Sequence, residues 1–242
     1  MRVAAIQFAP AFKEPETNLR VAAGMVVGAV KGGAKLVVLP ELCTTGYSFM
    51  SQAEALPFAE VFEAGRSFQV FRELATKLDV GIAWGFMRRD PGTGDLYNSQ
   101  GLVLPTGRYA YYDKINPWGQ DFIWATEGTG SPPILEYLDE KVGLLICRDV
   151  RDKAPAWDEF YEPGDADIVA FSTNWGDGGF PSVTWVSFAK QNKCWLVVGN
   201  RYGREANNDF GEGGPCVIAP NGQVHCEGLV WNQPCTVYGE TT

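Results

Sequence analysis

The chain has 242 residues, of which 45% are hydrophobic and 13% aromatic, enough apolar surface for one substantial domain spanning residues 1–242. Its formal net charge of -9 argues against nucleic acid or an anionic membrane surface as the main partner. The sequence shows neither a signal-peptide pattern nor an apolar stretch of the roughly 18 residues that a membrane-spanning helix needs, so we expect a cytoplasmic protein.

Short apolar strands alternate with amphipathic helices along the chain. The first strand is predicted at residues 3–8, and the first helix at 18–30 with Thr17 as its N-cap. The same alternation continues with helices at 65–78 and 183–192, and with strands at 35–39, 80–87, 96–104, 108–112, 134–138, 142–146, 168–171, 195–199 and between 216 and 238. This mixture predicts an α/β fold, a four-layer α-β-β-α sandwich in which two mixed sheets pack together with helices outside.

The cysteines and the single histidine limit the possible chemistry. None of the six cysteines forms a Cys-x-x-Cys pair, which indicates reduced thiols more than a disulfide framework or a zinc site. His225 is the only histidine, and it lies in a late strand-like segment. Ser-His or Cys-His catalysis would have to use it as the base, although a lone histidine is usually a surface or satisfied strand residue. A covalent enzyme with this sequence therefore needs a base other than histidine.

Three residues with suitable chemistry each follow a predicted strand. Cys147 closes an apolar run, Glu41 follows a strand and a proline, and Lys114 follows the second strand of a hairpin. Taken alone, such a cysteine is often a small core residue, and such charges usually lie at the surface. Taken together, they indicate a thiol nucleophile, a desolvated carboxylate as general base, and an ammonium that stabilises an oxyanion.

Short segments in a fixed order along nearly the whole chain carry a family resemblance. In the order in which they occur, these segments are Val3-Ala4-Ala5-Ile6-Gln7, Leu39-Pro40-Glu41, Tyr112-Asp113-Lys114, Leu145-Ile146-Cys147-Arg148-Asp149, Ser172-Thr173-Asn174-Trp175, residues 199–205 and Pro220-Asn221-Gly222. Each segment alone is a weak signal, but in this order they resemble the nitrilase-like carbon–nitrogen hydrolase family of amidases, carbamoylases and nitrilases.

The resemblance implies roles for the three residues that follow strands. Cys147 would be the nucleophile, Glu41 the general base and Lys114 the oxyanion stabiliser, with the backbone N–H of Arg148 completing the oxyanion hole. The reaction would pass through a thioester acyl-enzyme without a metal or an organic cofactor. The resemblance also implies a homodimer or a larger homo-oligomer.

The family commonly has a second glutamate shortly after the lysine. Counting back from Gly128 places Asp121 at that position, whereas alignment through residues 114–118 places Phe122 there. Glu127 is a further carboxylate nearby. An aspartate is one methylene shorter than a glutamate, so Asp121 would keep the charge but change the geometry.

Substrate-binding residues are suggested by charge and by aromatic character. Arg151 matches a position where family members that act on carboxylate-bearing substrates often carry arginine, or else it is a surface residue paired with a neighbouring aspartate. Arg148, Trp118, Trp175 and Tyr47 are expected in the pocket wall, although such aromatic residues are also common in plain core.

The sequence therefore predicts hydrolysis of a non-peptide C–N bond in a small amide or N-carbamoyl compound. One alternative is a nitrilase that acts on a C≡N bond. The other is a catalytically weak relative that serves as a scaffold or binding protein. In the enzymatic cases the partner is a small-molecule amide, carbamoyl compound or nitrile.

Overall fold

The computed structural model describes residues 1–150, 165–176 and 179–241, which form a mixed α/β fold. The strands are β1 Arg2–Gln7, β2 Leu36–Val38, β3 Gly81–Arg89, β4 Leu96–Val103, β5 Tyr109–Asp113, β6 Ile134–Tyr137, β7 Glu140–Ile146, β8 Ile168–Thr173, β9 Trp195–Asn200, β10 Arg204–Glu205, β11 Asn208–Asp209, β12 Cys216–Ile218, β13 Val224–His225 and β14 Cys235–Glu240. The α-helices in the described ranges are α1 Pro15–Lys31, α2 Gln52–Ala55, α3 Arg66–Leu78, α4 Asp121–Trp124 and α5 Val183–Asn192.

Most strands join one large sheet. Its main path runs β5-β4-β3-β2-β1-β9-β8-β7-β6, while β12, β13 and β14 pair alongside and β10 and β11 form a separate ribbon. The six strands from β3 to β7 in this path are parallel to one another, and antiparallel strands flank them. The mixed α/β prediction is confirmed.

The two halves of the main sheet are connected, which differs from the two separate sheets that the sequence predicts. β1 and β9 run parallel and pair at one position, where Gln7 lies opposite Asn200. The physical reason is that these two strands approach each other only at their carboxyl ends. Hydrogen bonding therefore joins the halves into a single sheet of twelve strands in the described ranges.

The two halves also face each other across a buried interior. Gln100 on β4 donates from Nε2 to the Ala170 carbonyl at 3.0 Å and to the Ser172 hydroxyl at 2.9 Å, both on β8. The Ser172 hydroxyl in turn donates to the carbonyl of Leu39 at 2.7 Å. These contacts connect residues that are far apart in sequence and fix how the halves sit against each other.

Burial on both faces explains the continuous apolar runs of the parallel strands. On β1, Val3 and Ala5 belong to the core cluster that both halves share. The alternating residues Ala4 and Ile6 belong to a second cluster, which includes buried residues of α1 and α3. The period of two along a strand therefore places helices on one face and the facing half on the other.

The first helix differs from its prediction at the start. It begins at Pro15 with Glu14 at the N-cap position, so Thr17 lies inside the helix and does not cap it. Proline is favoured in a first turn because its fixed φ suits the helix and its missing N–H has no partner there. The predicted helices at 65–78 and 183–192 correspond closely to α3 and α5.

All six cysteines are unpaired thiols, and only Cys226 among them is exposed. Among the helices of the described ranges, none has both the length and the apolar character needed to cross a membrane.

The topology brings four strand ends to one edge. β2, β7 and β8 are parallel members of the sheet, and β5 runs in the same direction as β3 because β4 is antiparallel to both. In such folds the chemistry collects at the carboxyl ends of the strands.

Candidate active site

The chain turns sharply where the site residues follow their strands. Leu42, directly after Glu41, has a φ of 45°, and Cys147, directly after β7, has a φ of 44°. Non-glycine residues rarely adopt this left-handed conformation, and it is often retained at functional sites. Gly85 on β3 makes room for the first of these turns, because a Cβ there would lie 2.5 Å from the Cα of Glu41.

A buried ammonium lies between two carboxylates. Lys114 Nζ is 2.7 Å from Glu41 Oε1 and 2.7 Å from Asp121 Oδ2, and the three side chains are only 2%, 1% and 0% exposed. Burial acts to lower the pKa of Lys114, but the charges of Asp121 and Glu41 outweigh it and hold the pKa well above its ordinary value. Lys114 is therefore a permanent cation at neutral pH.

Asn98, which the sequence did not single out, connects the two carboxylates. Its Nδ2 donates to Glu41 Oε1 at 2.7 Å and to Asp121 Oδ1 at 3.0 Å. The available signal was a run of three polar residues in strand β4, Asn98, Ser99 and Gln100, all of which are buried. Asn98 and Lys114 both donate to Oε1, and the other oxygen of Glu41, Oε2, is buried without a hydrogen-bond partner among the described residues. That oxygen has lone pairs available to take a proton.

Cys147 is a protonated thiol in the resting protein. It is 7% exposed and begins a short 3₁₀ turn, Cys147–Val150. Burial raises the pKa of Cys147 to about 12, and the negative charge of Glu41 acts in the same direction. The charge of Lys114, the Thr173 hydroxyl and the backbone N–H of Asn174 lower this pKa without cancelling the effect of burial. The thiol therefore needs a base before it can act as a nucleophile.

A cavity of about 640 Å³, part of it open to solvent, has both Cys147 and Glu41 in its lining. The guanidinium of Arg148 stacks on the ring of Trp118, 4.0 Å from its centroid. The Tyr47 hydroxyl donates to the carbonyl of Trp118, which ties two walls of the cavity together. The remaining lining residues are Gly119, Gln120, Asn174, Trp175, Gly176, Asn208, Asp209 and Phe210.

Of the three residues considered for the second carboxylate position, Asp121 lies in the cluster. It is the first residue of α4, a short helix that the sequence did not predict. Phe122 is 70% exposed, and Glu127 is also exposed. The helical turn directs residue 121 inward and residue 122 outward, which the spacing from Lys114 did not reveal.

The structure places the predicted wall residues Tyr47, Trp118, Arg148 and Trp175 around this cavity. Arg151 lies outside the described residues.

Asp149 connects the turn after Cys147 with the segment after Lys114. It is buried and accepts hydrogen bonds from the Tyr112 hydroxyl at 2.9 Å and from the backbone N–H and the Nδ2 of Asn116 at 3.0 and 3.1 Å. Burial raises the pKa of Asp149 to about 7, although the charge of Lys114 and these hydrogen bonds oppose the rise. The sequence places this aspartate in the segment Leu145-Ile146-Cys147-Arg148-Asp149 and as a possible partner of Arg151, and it does not predict this buried connection.

A buried ion pair holds the segment that follows Glu41. Glu205 Oε1 accepts from the backbone N–H groups of Tyr47 and Ser48, both at 2.7 Å. Its other oxygen accepts from Arg201 Nη1 at 2.8 Å. These contacts fix the backbone that carries Tyr47 into the cavity wall.

Comparison with known proteins identifies the family. The family profile described as carbon–nitrogen hydrolase matches residues 2–241. A nitrilase from Pyrococcus abyssi is 30% identical over 225 residues, 93% of this chain and 83% of that protein. A 2-oxoglutaramate amidase from Bacillus subtilis is 26% identical over 238 residues, 93% of this chain and 85% of that protein.

A solved structure shows the same fold. The amidase from Nesterenkonia sp. AN1 superposes with a TM-score of 0.84 at 23% identity, over 100% of this chain and 93% of that one. The profile match spans almost every residue, and the nitrilase relative covers most of both chains. This chain belongs to the carbon–nitrogen hydrolase family.

Proposed function

We propose that this chain is a cysteine-dependent hydrolase of the amide or N-carbamoyl group of a small molecule, releasing ammonia or an amine through a thioester. The observation that carries the proposal is that Cys147 and Glu41 line one cavity while the Lys114 cation contacts Glu41. One oxygen of the Glu41 carboxylate has no hydrogen-bond partner among the described residues. A nucleophile, a base and an electrostatic stabiliser are the parts that acyl transfer requires.

In the first half of the reaction, Glu41 takes the proton of Cys147 as the sulfur attacks the carbonyl carbon. A base is needed because the pKa of the thiol is about 12. The carbonyl oxygen becomes an oxyanion, which Lys114 Nζ and the backbone N–H of Arg148 stabilise. Glu41 then gives its proton to the departing nitrogen, the C–N bond breaks, and the thioester and free amine remain.

In the second half, water replaces the amine. Glu41 takes a proton from the water molecule while the oxygen of that water attacks the thioester carbonyl carbon. The C–S bond breaks, the sulfur recovers a proton from Glu41, and the carboxylic acid leaves. The protein ends in its starting protonation state, and no redox partner or cofactor enters the balance.

Asp121 and Asn98 position the reacting groups. Asp121 shares Lys114 with Glu41, and Asn98 spans both carboxylates. The second carboxylate of this chain would thus be an aspartate, brought close to the lysine by α4. We further propose the four-layer packing of helices outside the facing sheet halves, a cytoplasmic location and a homo-oligomer.

A nitrilase is the second candidate, because one relative over most of the chain is named a nitrilase. The two activities are separated by an ammonia-release screen of primary amides, N-carbamoyl compounds and nitriles. We expect wild-type protein to release ammonia from at least one amide or carbamoyl compound, and the Cys147→Ala variant to release none. Turnover of nitriles alone would contradict the proposed amide hydrolase activity and would support a nitrilase. A folded wild-type protein that is inactive on the whole panel would favour the scaffold alternative.

A further inference from the structure

Asn174 is a buried polar residue in the cavity wall, and its side chain has no hydrogen-bond partner in the described part of the chain. It directly follows β8 and lines the same cavity as Cys147. Only 8% of the residue is exposed, and neither its Oδ1 nor its Nδ2 has a hydrogen-bond partner among the residues that the structure describes. Buried polar side-chain atoms are nearly always paired, so two unpaired atoms on one side chain call for an explanation.

A nearby asparagine shows the usual pattern. Asn200 Oδ1 accepts from the backbone N–H groups of Trp175 and Arg201 at 3.0 and 2.9 Å, and its Nδ2 donates to the Trp175 carbonyl at 3.2 Å. Asn200 is therefore paired at both its oxygen and its nitrogen, whereas Asn174 is paired at neither among the described residues. The difference between them is that Asn174 lines the cavity and Asn200 does not.

Asn174 also lies beside the reacting atom. Its backbone N–H lies close enough to the sulfur of Cys147 to lower the pKa of that thiol. A carbonyl carbon attacked by this sulfur must therefore come close to Asn174, together with whatever group leaves from that carbon.

The chemistry of an asparagine side chain defines which leaving group fits. It offers one acceptor oxygen and one donor nitrogen, whichever way the amide is oriented. A carboxamide offers N–H donors and a carbonyl acceptor. An alkyl ester and a nitrile offer only acceptors, so either would leave the Asn174 oxygen unpaired.

We propose that the side chain of Asn174 binds the leaving amino group of the substrate and so selects carboxamides over esters and nitriles with the same acyl group. This inference rests on the proposed amide hydrolase activity and adds a specificity-determining residue to it. A site that hydrogen-bonds a substrate N–H discriminates strongly against analogues without it, because its own polar groups then stay buried and unpaired.

The test compares two substrates that form the same thioester. One is a primary amide that is active in the ammonia-release screen, and the other is the methyl ester of the same acid. Because the acyl-enzyme and its hydrolysis are shared, the ratio of kcat/KM for amide over ester reports the leaving group. We expect Asn174→Leu to lower kcat/KM for the amide about 10- to 100-fold, the scale for losing a buried hydrogen bond, and for the ester less than about 3-fold.

Asn208→Leu is the matched control. Asn208 also lines the cavity, but its Nδ2 donates to the Ser48 hydroxyl at 2.7 Å. Its substitution should leave the amide-to-ester ratio within about twofold of wild type, since a leaving-group contact is not lost. Circular dichroism checks folding, and Asn174→Ala, which adds no volume, replaces Asn174→Leu if the latter does not fold.

Equal losses on the amide and the ester in a folded Asn174 variant would overturn the inference while leaving the hydrolase activity intact. Wild-type protein that forms no acyl adduct with either substrate would overturn the proposed function, and the inference with it.

Discussion

Replacing Asp121 with asparagine removes one negative charge from the buried cluster at almost constant volume. In the folded protein, Asp121 Oδ2 accepts from Lys114 Nζ at 2.7 Å and from the backbone N–H of Trp118 at 3.1 Å. Oδ1 accepts from Asn98 at 3.0 Å. An asparagine has only one acceptor oxygen, whereas donors face both oxygens of Asp121. The NH₂ group of the asparagine would therefore face a donor and lose that hydrogen bond.

The expected loss follows from these contacts. A hydrogen bond to a charged group contributes about 1.5–3 kcal/mol, which corresponds to a roughly 10- to 100-fold fall in kcat if the contact supports the transition state. Lys114 would then keep Glu41 as its one carboxylate partner at hydrogen-bonding distance in the described ranges. The base would be held more tightly by the ammonium and would be less free to move a proton.

The assay is kcat and KM by ammonia release, with thermal unfolding followed by circular dichroism. Asp121→Glu is the matched control, since it keeps the charge and adds one methylene. We expect its kcat to fall less than that of Asp121→Asn. A folded Asp121→Asn protein with kcat within about threefold of wild type would refute the positioning role, because the loss of a charged hydrogen bond costs more.

Three further predictions concern the reacting groups and their surroundings. Glu41→Gln and Lys114→Ala should each lower kcat by at least about 10²-fold, the usual scale for an acid–base or oxyanion group, and near-normal turnover in either would refute its role. Because the pKa of Cys147 is about 12, its alkylation by iodoacetamide, followed by intact mass, should be slow at pH 7 and rise without a plateau to pH 10. A plateau below pH 8 would contradict a protonated resting thiol. Burial raises the pKa of Asp149 from its ordinary 3.8 to about 7, so the native state binds the extra proton, and the stabilisation present at low pH is lost as the pH rises towards and through 7. The free energy of unfolding in urea should therefore fall more between pH 5 and pH 8 for wild type than for Asp149→Asn, and parallel changes would contradict this.

The residues that follow strands are the part of the site that the sequence predicts most directly. Glu41, Lys114 and Cys147 each follow a predicted strand, and strands that run in the same direction bring such ends to one edge. Their position in the chain and their chemistry were therefore enough to group them. The positions of these side chains depend on local turns, such as the left-handed φ of Cys147. The periodicity of apolar residues does not predict such turns.

The remaining features depend on contacts between distant residues. Asn98 was missed because a polar residue within a strand has no pattern that distinguishes a site from a solvated face. Asp121 and Phe122 differ by one position, and only the turn of α4 decides which side chain points inward. The joining of the two sheet halves rests on one pair, Gln7 opposite Asn200, almost two hundred residues apart.

We infer that Cys147 carries the acyl group during turnover. The experiment is to acid-quench the protein during turnover of an active amide and to measure its intact mass, followed by peptide mapping. We expect an added mass equal to the acyl group on the peptide that contains Cys147, and no adduct and no ammonia release with Cys147→Ala. Continued turnover by a folded Cys147→Ala protein would contradict it.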